Sequence, residues 1–246
     1  MIQNTTVTKK IVVVIPAYLE SENLVALCNA IINELTEVSI IIVDDSPNLD
    51  SIAAIKKAEF SDVSILNRKS KMGRGSAVLY GMQEFSNKDF DYLIEMDADF
   101  SHNPNELKGL LSAATDKHAD LVIASRYLDN SKIVDWPLKR LFFSKFSNIL
   151  ARRLLKIPVA DYTNGFRIYS PRSVELILNT CGKSGDGFIA LSEILLNLHL
   201  QDYKIAEVET VFVNRIRGQS SLSKKEITGA IKGLITLYRK RLAEAK

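Results

Sequence analysis

The chain has 246 residues, of which 46% are hydrophobic and 25% charged, a composition typical of a globular protein large enough to bury a sizeable core. Its longest apolar run, residues 11–19, is far shorter than the roughly 20 residues that a membrane-spanning helix needs. We expect no signal peptide, because the first residues lack a charged-then-apolar pattern with a cleavage site. Cys28 and Cys181 lack metal-ligand spacing and are expected to be reduced packing residues of a cytosolic protein.

The net charge of +3 conceals two basic segments. Residues 131–156 carry seven Lys or Arg against one acid, Asp135, and residues 214–246 carry nine against Glu226 and Glu244. The rest of the chain is therefore net acidic. This asymmetry indicates an anionic partner met at one surface, with solvated helix faces as the alternative.

The predicted elements alternate between strand and helix from the start of the chain. The segment "KKIVVVIPAY" is typical of a strand buried on both faces, and Ser21 is expected to cap a helix that runs to about Leu35. The segments "VSIIIVDDS" and "DVSILN" predict the second and third strands, with a short helix capped by Asp50 between them. The segment "GSAVLYGMQEF" has helical spacing and precedes a fourth strand, "FDYLIEMDAD".

The fourth strand is followed by a helix with a clear start signal. Asn103 is expected at the N-cap, Pro104 at the first helical position and Glu106 at the third. The segment "ADLVIASRY" predicts a fifth strand, after which the alternation ends. We then expect a long basic helix over 138–156, a polar turn "DYTNGFR", further helices, a strand near 203–213 and a last basic helix.

Strand–helix alternation with short links predicts an α/β fold, a mostly parallel central sheet with helices on both faces. The chain contains no evident repeat, low-complexity segment or linker, so we predict one domain over residues 1–246. Within it, residues from about 10 to 130 would form one half and residues 131–246 the other.

Polar residues follow several of the predicted strands, at the edge of a parallel sheet where ligands bind. Asp97 and Asp99 offer hard oxygen ligands that suit Mg²⁺ or Mn²⁺, although aspartates before a helix are also common in plain turns. Asp44 and Asp45 would bring two more carboxylates to the same edge, where a cation or hydrogen-bond donors must offset their repulsion. Nearby, "KMGRGSA" places glycines at a helix start, which suits a phosphate or an ordinary turn.

Seven segments in order extend this pattern over nearly the whole chain: "VVIPAYLESENL", "IIVDDSPNLD", "KMGRGSAVLYGM", "YLIEMDADFSHNP", "VIASRY", "DYTNGFRIYS" and "VNRIRGQSSLS". In order and approximate spacing they resemble the family-2 inverting glycosyltransferases with a GT-A fold, and among these the subgroup of dolichyl- or polyprenyl-phosphate mannose synthases. The resemblance implies transfer of a hexose from a nucleotide sugar to a polyprenyl phosphate, with GDP-mannose favoured and UDP-glucose or UDP-N-acetylhexosamine as alternatives.

The resemblance also implies roles for individual residues. Those lining the nucleoside would be Pro16, Ala17, Tyr18, Glu20, Asp44, Asp45, Lys71 and Gly73. Asp97 and Ala98 would lie on the ribose or sugar side, and Asp99 would coordinate the Mg²⁺ or Mn²⁺ ion that bridges the diphosphate, with Asp97 and Ser101 as further contacts. Those handling the acceptor phosphate and the donor diphosphate would be Arg126, Arg167, Arg215 and Ser220.

The chain departs from the family pattern at several positions. The family's usual Asp-Asp-Gly-Ser is Asp45-Ser46-Pro47 here, its Tyr-Asn-Glu is Tyr18-Leu19-Glu20, and its Gly-Leu-Gly is Gly73-Arg74-Gly75. The glutamine commonly found two residues before Glu193 is Leu191. These departures bear on base and sugar specificity more than on the type of reaction.

The nature of the acceptor decides whether a general base is needed. A lipid monophosphate is already mostly dianionic at neutral pH, because its second pKa is near 6, and would need alignment rather than deprotonation. A hydroxyl acceptor would need a base, for which Asp161 and Glu193 are candidates, although Glu193 also fits a buried structural carboxylate. His102 is a weaker candidate in the aspartate loop.

Both basic segments have the pattern of amphipathic helices. "WPLKRLFFSKFSNILARRLLKI" and "EITGAIKGLITLYRKRLAEAK" interleave apolar and basic residues at helical spacing. Such helices suit a membrane interface, and we expect the apolar stripe to pack on the protein while the basic edge faces anionic lipid. The protein would then be peripheral on the cytoplasmic face of a membrane, where a separate membrane-anchor protein is a possible partner.

Three other classes of protein fit the sequence less well. A nucleotidyltransferase would show a Gly/Arg/Lys-rich triphosphate loop near the N-terminus, which "PAYLESEN" is not. A non-catalytic binding protein for nucleotide sugars or lipid phosphates would bind the donor without transfer. Nucleic-acid binding is not expected, because no recognised motif accompanies the basic helices.

Overall fold

The computed structural model describes residues 9–185, 187, 189–214 and 224–244. The strands are β1 (Ile11–Ala17), β2 (Val38–Asp44), β3 (Val63–Asn67), β4 (Tyr92–Glu95), β5 (Leu121–Ser125), β6 (Lys132–Val134), β7 (Arg167–Tyr169), β8 (Ile205–Glu209) and β9 (Val211–Val213). The helices are α1 (Ser21–Glu34), α2 (Asp50–Ala58), α3 (Arg74–Phe85), α4 (Leu107–Asp116), α5 (Leu138–Leu155), α6 (Pro171–Thr180), α7 (Ile189–Leu200) and α8 (Lys224–Glu244).

In the described part of the chain, seven strands form the central sheet in the order β3-β2-β1-β4-β7-β5-β8. Neighbouring strands run parallel except at β7, which is antiparallel to both β4 and β5. The predicted α/β class with a mostly parallel sheet is therefore confirmed. The strand order places the ends of β1, β2 and β4 side by side at the carboxyl edge.

The strand β7 was not predicted from the sequence. The polar turn expected over "DYTNGFR" ends in Arg167, which begins β7, and Ile168 pairs with Ile94 on one side and Val122 on the other. A three-residue strand is too short to show an alternating pattern. Its position is set by the two strands between which it lies.

The predicted strand near 203–213 is divided between two sheets. β8 pairs with β5 in the central sheet, whereas β9 pairs in parallel with β6 outside it. At the break, the Glu106 carboxylate accepts hydrogen bonds from the Thr210 hydroxyl and from the Val211 backbone N–H. Glu106, which was expected only as the third residue of a helix start, therefore fixes the crossover between the two sheets.

Other helix starts agree only in part with the caps expected. The Asn103 side chain accepts from the Asn105 backbone N–H at 3.1 Å, but the residues from Pro104 form a 3-10 turn before α4. The expected Ser21 cap is wrong, because α1 begins at Ser21 and its N-cap residue is Glu20, without a side-chain capping bond.

The core lies on both faces of the sheet, as the apolar run in β1 predicts. Val12 and Val14 pack into one cluster, and Val13 and Ile15 into the other, because alternate side chains of a strand point to opposite faces. All four are at most 4% exposed. A strand covered on both faces reads as a continuous hydrophobic run, which is what residues 11–15 show.

The two basic helices pack against each other and against the main body. α5 buries Asn148, Ala151 and Leu155, and α8 buries Leu237. The Arg241 guanidinium donates to the Leu154 carbonyl at 3.3 Å, which links the two helices. Among the residues that the structure describes, no helix is both long and apolar enough to span a bilayer.

Candidate active site

The carboxyl edge of the sheet brings the loops after β1 and β2 together. The Ala17 carbonyl accepts a hydrogen bond from the Asp45 backbone N–H at 2.9 Å. Asp44 is fully buried: its Oδ1 accepts from the N–H and hydroxyl of Ser46, and its Oδ2 accepts from Asn67 Nδ2 at 3.0 Å. Asp44 therefore supports the loop in this structure and is not presented to solvent.

Two residues that depart from the family pattern contact each other in these loops. The Ser46 hydroxyl accepts from the Leu19 backbone N–H at 2.8 Å while it donates to Asp44. Leu19 has a φ of 59°, a left-handed conformation that is uncommon for a residue with a Cβ. The two departures thus form one local unit joining the loops after β1 and β2.

Tyr18 and Lys71 meet at the solvent-facing part of this edge. Tyr18 is 38% exposed, and Lys71 Nζ lies 4.8 Å from the centroid of its ring. Pro16, at the end of β1, is half-buried, and Glu20 accepts from Asn23 Nδ2 at 2.6 Å. An accessible aromatic ring beside an ammonium group can offer a base a stacking surface and an anion a counter-charge.

Asp45 organises the loop that leads into α3. It is 3% exposed and forms a two-point ion pair with Arg68, with Oδ1 2.7 Å from Nε and Oδ2 2.9 Å from Nη2. Oδ2 also accepts from the backbone N–H groups of Met72 and Gly73, at 2.8 and 3.2 Å. Gly73 has a φ of 98°, which only glycine adopts readily, so the turn onto Asp45 depends on this residue.

Arg74 reaches from the start of α3 to the end of β4. Its Nη1 donates to Glu95 Oε1 at 2.5 Å, and its Nε and Nη2 lie 2.8 and 2.7 Å from Asp97 Oδ1. Glu95 is fully buried and also accepts from the Tyr169 hydroxyl at 2.7 Å. Burial opposes the charge on Arg74, but Asp97 and Glu95 outweigh it, so the pKa of the guanidinium is raised.

The turn after β4 contains the residues expected to hold a metal. Asp99 is 8% exposed, and its Oδ1 accepts from the Ser101 backbone N–H at 3.0 Å. The Ser101 hydroxyl is buried and has no hydrogen-bond partner among the described residues. A buried hydroxyl without a partner is costly unless a ligand completes its contacts. Together with the carboxylate of Asp99 it forms a hard-oxygen donor set that fits Mg²⁺ or Mn²⁺.

In the part of the chain that the structure describes, no group of three or more His, Cys, Asp or Glu side chains forms a metal cage. This agrees with the way Mg²⁺ is commonly held, by one or two carboxylates with substrate phosphates completing the shell.

His102 is buried and holds the aspartate turn in place. Its Nδ1 accepts from the Asp97 backbone N–H at 2.9 Å, and its Nε2 then donates to Asn164 Oδ1 at 3.0 Å. The ring stacks on Phe166 with centroids 5.0 Å apart. Burial lowers the pKa of His102, although Asp97 and Asp99 favour the charged form. With both ring nitrogens engaged, His102 is not placed to act as a general base.

Arg126 and Asp161 form a buried ion pair beside this turn. Asp161 Oδ2 lies 2.7 Å from Arg126 Nε, and its Oδ1 lies 2.8 Å from Nη2. Arg126 Nη2 also donates to the Thr163 hydroxyl at 2.7 Å. Burial opposes both charges, but the pairing outweighs it: the pKa of Asp161 is lowered and that of Arg126 is raised. Asp161 is fully buried in this pair and is not placed as a general base.

Arg167 is placed differently from its expected role. It is fully buried, and its guanidinium donates to three backbone carbonyls, those of Asn164 at 2.8 Å, Leu191 at 3.0 Å and Tyr162 at 3.0 Å. Every carbonyl that it contacts belongs to the protein's own loop or to α7. This geometry argues against direct contact with a substrate phosphate, because the donors are used to hold residues 162–167 against the core.

Glu193 is likewise a structural carboxylate. It is 3% exposed and accepts from the backbone N–H of Gly182 at 2.9 Å, the N–H of Lys183 at 3.3 Å and the Ser184 hydroxyl at 2.8 Å. Its role is to fix the loop between α6 and α7. It is therefore not placed as a general base.

The structure adds two residues that the sequence reasoning did not single out. The Trp136 ring lies close to two guanidinium groups, with its centroid 5.4 Å from Arg126 Cζ and 4.0 Å from Arg140 Cζ. Its buried Nε1 has no hydrogen-bond partner within the described ranges. Arg140 Nη1 also donates to Asn214 Oδ1 at 2.9 Å. The signal in the sequence was this lone tryptophan beside a basic helix.

The predicted residues Arg215 and Ser220 lie outside the described residues. The sequence predictions for them therefore stay predictions. Asn214, the residue before them, is held by a hydrogen bond from its N–H to the Val134 carbonyl at 3.0 Å.

The exposed face of α5 is more apolar than expected. Leu138, Phe142, Phe143, Phe146 and Ile149 are between 47% and 83% exposed, and they are named here the α5 apolar face. We expected the apolar stripe of this helix to pack on the protein, and that expectation is wrong for these five residues. The buried residues of α5 are instead Asn148, Ala151 and Leu155.

A mostly parallel sheet with an aspartate turn beyond its central strand, supported by buried arginine–carboxylate pairs, defines the class of protein: a glycosyltransferase with the GT-A fold. The sequence comparisons agree and give the family. The chain belongs to glycosyl transferase family 2, whose profile matches residues 12–178.

Two curated relatives are similar over most of their length. A polyprenol monophosphomannose synthase of Mycolicibacterium smegmatis is 34% identical over 227 residues, covering 91% of this chain and 85% of the relative. An undecaprenyl-phosphate mannosyltransferase of Micrococcus luteus is 33% identical over 217 residues, covering 87% and 88%.

Solved structures share the fold at lower sequence identity. Glucosyl-3-phosphoglycerate synthase of Mycobacterium tuberculosis in complex with phosphoglyceric acid superposes with a TM-score of 0.65 at 18% identity, covering 95% of this chain and 80% of the other. The same enzyme in complex with Mn²⁺, uridine diphosphate and phosphoglyceric acid gives a TM-score of 0.66 at 17% identity, covering 95% and 78%. At these identities the likeness concerns the fold.

Proposed function

We propose that the protein transfers a hexose, most favourably mannose from GDP-mannose, to a polyprenyl phosphate with inversion, using Mg²⁺ or Mn²⁺. Residues 1–246 would act as one domain, with the donor and metal bound by residues 10–130 and the acceptor by residues 131–246. The names of the two curated relatives, a polyprenol monophosphomannose synthase and an undecaprenyl-phosphate mannosyltransferase, support this choice of sugar and acceptor.

The donor would lie along the carboxyl edge. Tyr18 and Lys71 offer its nucleoside a stacking surface and a nearby cation. Asp45, paired with Arg68, holds the loop before α3 through the Gly73 backbone N–H. Asp99 and the buried Ser101 hydroxyl would hold the divalent ion. When bound, that ion neutralises the charge that develops on the leaving diphosphate.

The acceptor phosphate would approach from the side of Trp136, where the guanidinium groups of Arg126 and Arg140 flank the indole ring. Guanidinium groups suit this task because their planar forks match phosphate oxygens. In this proposal Arg167 holds the loop that carries Asp161, and Asp161 in turn orients Arg126.

One observation carries the choice of a phosphate over a hydroxyl acceptor. The three candidate bases weighed from the sequence, His102, Asp161 and Glu193, are each buried and bonded to protein groups. A hydroxyl nucleophile would need a base, and none of these three side chains is placed to act as one. A phosphate with a second pKa near 6 is already largely dianionic at neutral pH and needs only to be aligned.

The α5 apolar face supports a location at a membrane surface. Three of its residues are phenylalanines, and Phe142 and Phe146 stack with centroids 6.4 Å apart. Exposed basic residues flank it, among them Lys139, Lys145 and Arg152. A helix of this kind inserts its apolar side at the headgroup boundary and gains about 1 kcal/mol per basic residue near anionic lipid. We place the protein on the cytoplasmic face, with or without a membrane-anchor partner.

The decisive experiment offers a panel of nucleotide sugars with a polyprenyl phosphate and Mg²⁺ or Mn²⁺, and measures transfer to the lipid. We expect transfer from GDP-mannose, loss of it with a chelator, and no transfer by Asp99→Asn. Full activity of Asp99→Asn would refute the metal assignment. Transfer only from UDP-glucose or a UDP-N-acetylhexosamine would refute the choice of donor while keeping the reaction.

Membrane binding is tested separately by sedimentation with vesicles. Anionic vesicles should retain the protein, and replacing Phe142 and Phe146 together by serine should release it. The matched control replaces Tyr80, an exposed aromatic on α3 outside the α5 apolar face, by serine. Equal binding of the wild type to neutral vesicles would contradict the proposed role of the basic residues.

A further inference from the structure

Asn148 is the polar residue among the three that α5 buries, and it is 3% exposed. Its Oδ1 accepts from the Tyr162 backbone N–H at 2.6 Å, and its Nδ2 donates to the Ser144 carbonyl at 2.9 Å and to the Thr163 hydroxyl at 3.2 Å. A buried amide is costly unless its hydrogen bonds are made. These bonds therefore hold residues 162–163 against α5.

The Thr163 hydroxyl connects Asn148 to Arg126. It accepts from Arg126 Nη2 at 2.7 Å and from Asn148 Nδ2, and it donates to Asp161 Oδ1 at 3.4 Å. Two donors and one acceptor complete the hydrogen bonds that a hydroxyl group can make, so all three partners determine its position. In the described part of the chain, Asp161 and Thr163 bind Nε and Nη2 of Arg126, which leaves Nη1 for a substrate oxygen.

A second contact joins α5 to the residues around the same arginine. The Tyr127 hydroxyl donates to the Ser144 hydroxyl at 2.6 Å, and the centroid of the Tyr127 ring lies 5.6 Å from Arg126 Cζ. Ser144 and Asn148 are four residues apart and therefore lie on one side of the helix. α5 thus contacts the surroundings of Arg126 with one side and exposes the α5 apolar face on another.

We propose that Asn148 is a positioning residue for the acceptor phosphate, which fixes the Arg126 guanidinium through the Thr163 hydroxyl. This inference rests on the proposed transfer to a polyprenyl phosphate. The helix that faces the lipid would then also orient the arginine, so that Arg126 keeps a fixed position relative to the headgroups among which the acceptor phosphate lies. Alignment of this kind lowers the entropic cost of bringing two reactants together.

The test measures kcat and the KM for each substrate, with polyprenyl phosphate dispersed in a non-ionic detergent so that vesicle binding plays no part. Asn148→Ala should raise the KM for polyprenyl phosphate about fivefold, because it removes a hydrogen bond that orients Arg126. The KM for the nucleotide sugar should stay within about twofold of the wild type, because the bonds of Asn148 do not involve the residues proposed to bind the donor. A role confined to stability would lower Tm and leave the acceptor KM unchanged.

Thr163→Val tests the same link independently and also serves if Asn148→Ala does not fold. It removes the hydroxyl with little change of shape, and it should raise the acceptor KM about tenfold because Arg126 loses a direct contact. Both changes act through this hydroxyl, so the double variant should exceed Thr163→Val by no more than about twofold, where independent effects would give about fiftyfold over the wild type. Thr163→Ser keeps the hydroxyl, and its acceptor KM should stay within about twofold of the wild type.

The matched control is Asn197→Ala, which changes an asparagine that is also 3% exposed. Asn197 Nδ2 donates to the carbonyl and the hydroxyl of Thr180, the last residue of α6. This variant should lose stability as Asn148→Ala does, while its acceptor KM stays within about twofold of the wild type.

The inference is overturned if Asn148→Ala or Thr163→Val folds and leaves the acceptor KM unchanged, if either raises both KM values equally, or if the two effects multiply. Thr163→Ser with an acceptor KM as high as that of Thr163→Val would overturn it as well. A wild-type protein that transfers sugar to polyprenyl phosphate from no nucleotide sugar would instead refute the proposed function. The two failures are therefore distinguishable.

Discussion

Replacing Asp161 by asparagine removes one charge from a fully buried ion pair and leaves the other in place. Asp161 accepts from two nitrogen atoms of the Arg126 side chain and from the backbone N–H groups of Arg126, Thr163 and Asn164. Asparagine has nearly the same shape, but its amide nitrogen replaces one accepting oxygen by a donor, so the change removes the charge together with the acceptor for some of these N–H groups. The Arg126 guanidinium, only 5% exposed, would then be buried without its counter-ion.

Breaking a buried pair in this way costs about 3–5 kcal/mol of unfolding free energy. For a chain of this size each kcal/mol shifts Tm by roughly 2–4 °C, so we expect a fall of about 6–20 °C. Thermal melts followed by circular dichroism at pH 7 measure it. The pKa of Asp161 is lowered in the fold by its pairing with Arg126, so its stabilising effect is complete above the ordinary aspartate pKa of 3.8 and is lost as the pH falls below that value.

The control for Asp161→Asn is Asp89→Asn. Asp89 and Lys10 lie 2.7 Å apart, as close as the buried pair, but their side chains are 86% and 60% exposed. Exposed pairs contribute little, so the Tm of Asp89→Asn should not change measurably. A Tm for Asp161→Asn within about 2 °C of the wild type would refute the conclusion that the buried pair holds this loop, since that shift corresponds to about 1 kcal/mol or less.

Three further predictions follow from buried groups. Arg167→Met should lower Tm rather than raise the KM for either substrate, because it leaves three backbone carbonyls without their donor; a large rise in KM with unchanged Tm would contradict this. Glu193→Gln should leave kcat for transfer at pH 7 nearly unchanged, because the carboxylate holds the loop after α6; a fall in kcat of about a hundredfold or more with unchanged Tm would instead identify Glu193 as a base. Burial raises the pKa of the thiols to about 12 in Cys28 and about 11 in Cys181, so neither should react readily with a thiol reagent at pH 8 until the protein is unfolded; fast reaction of the native protein would disprove it.

The elements of the first half of the chain were predictable because their signals are local. The continuous apolar runs of β1 and of the strands that follow it predict strands covered on both faces. The helices between these strands predict that the strands pair in parallel, as they do. The carboxyl ends of parallel strands lie at one edge of the sheet. The sequence alone therefore predicted that Asp44, Asp45 and the Asp97–Asp99 turn lie near one another.

The roles of the charged residues were less predictable. From the sequence, Arg126 and Arg167 are equivalent candidates for binding phosphate. In the structure Arg126 lies beside Trp136 with its charge paired to Asp161, whereas Arg167 is fully buried against backbone carbonyls. No local pattern distinguishes the two, because the partners of each are distant in the chain.

The sequence by itself determined the alternation of strands and helices, the parallel sheet and the edge at which the carboxylates gather, since hydrophobic periodicity and turn residues act over a few positions. Only the tertiary structure decided that β7 runs antiparallel between β4 and β5, that Arg74 bridges Glu95, Asp97 and Gly165, and that the α5 apolar face remains exposed. These features depend on which distant segments meet. A buried charge takes whichever counter-charge or carbonyl the packing brings within reach, because leaving it unpaired costs more than any local preference contributes.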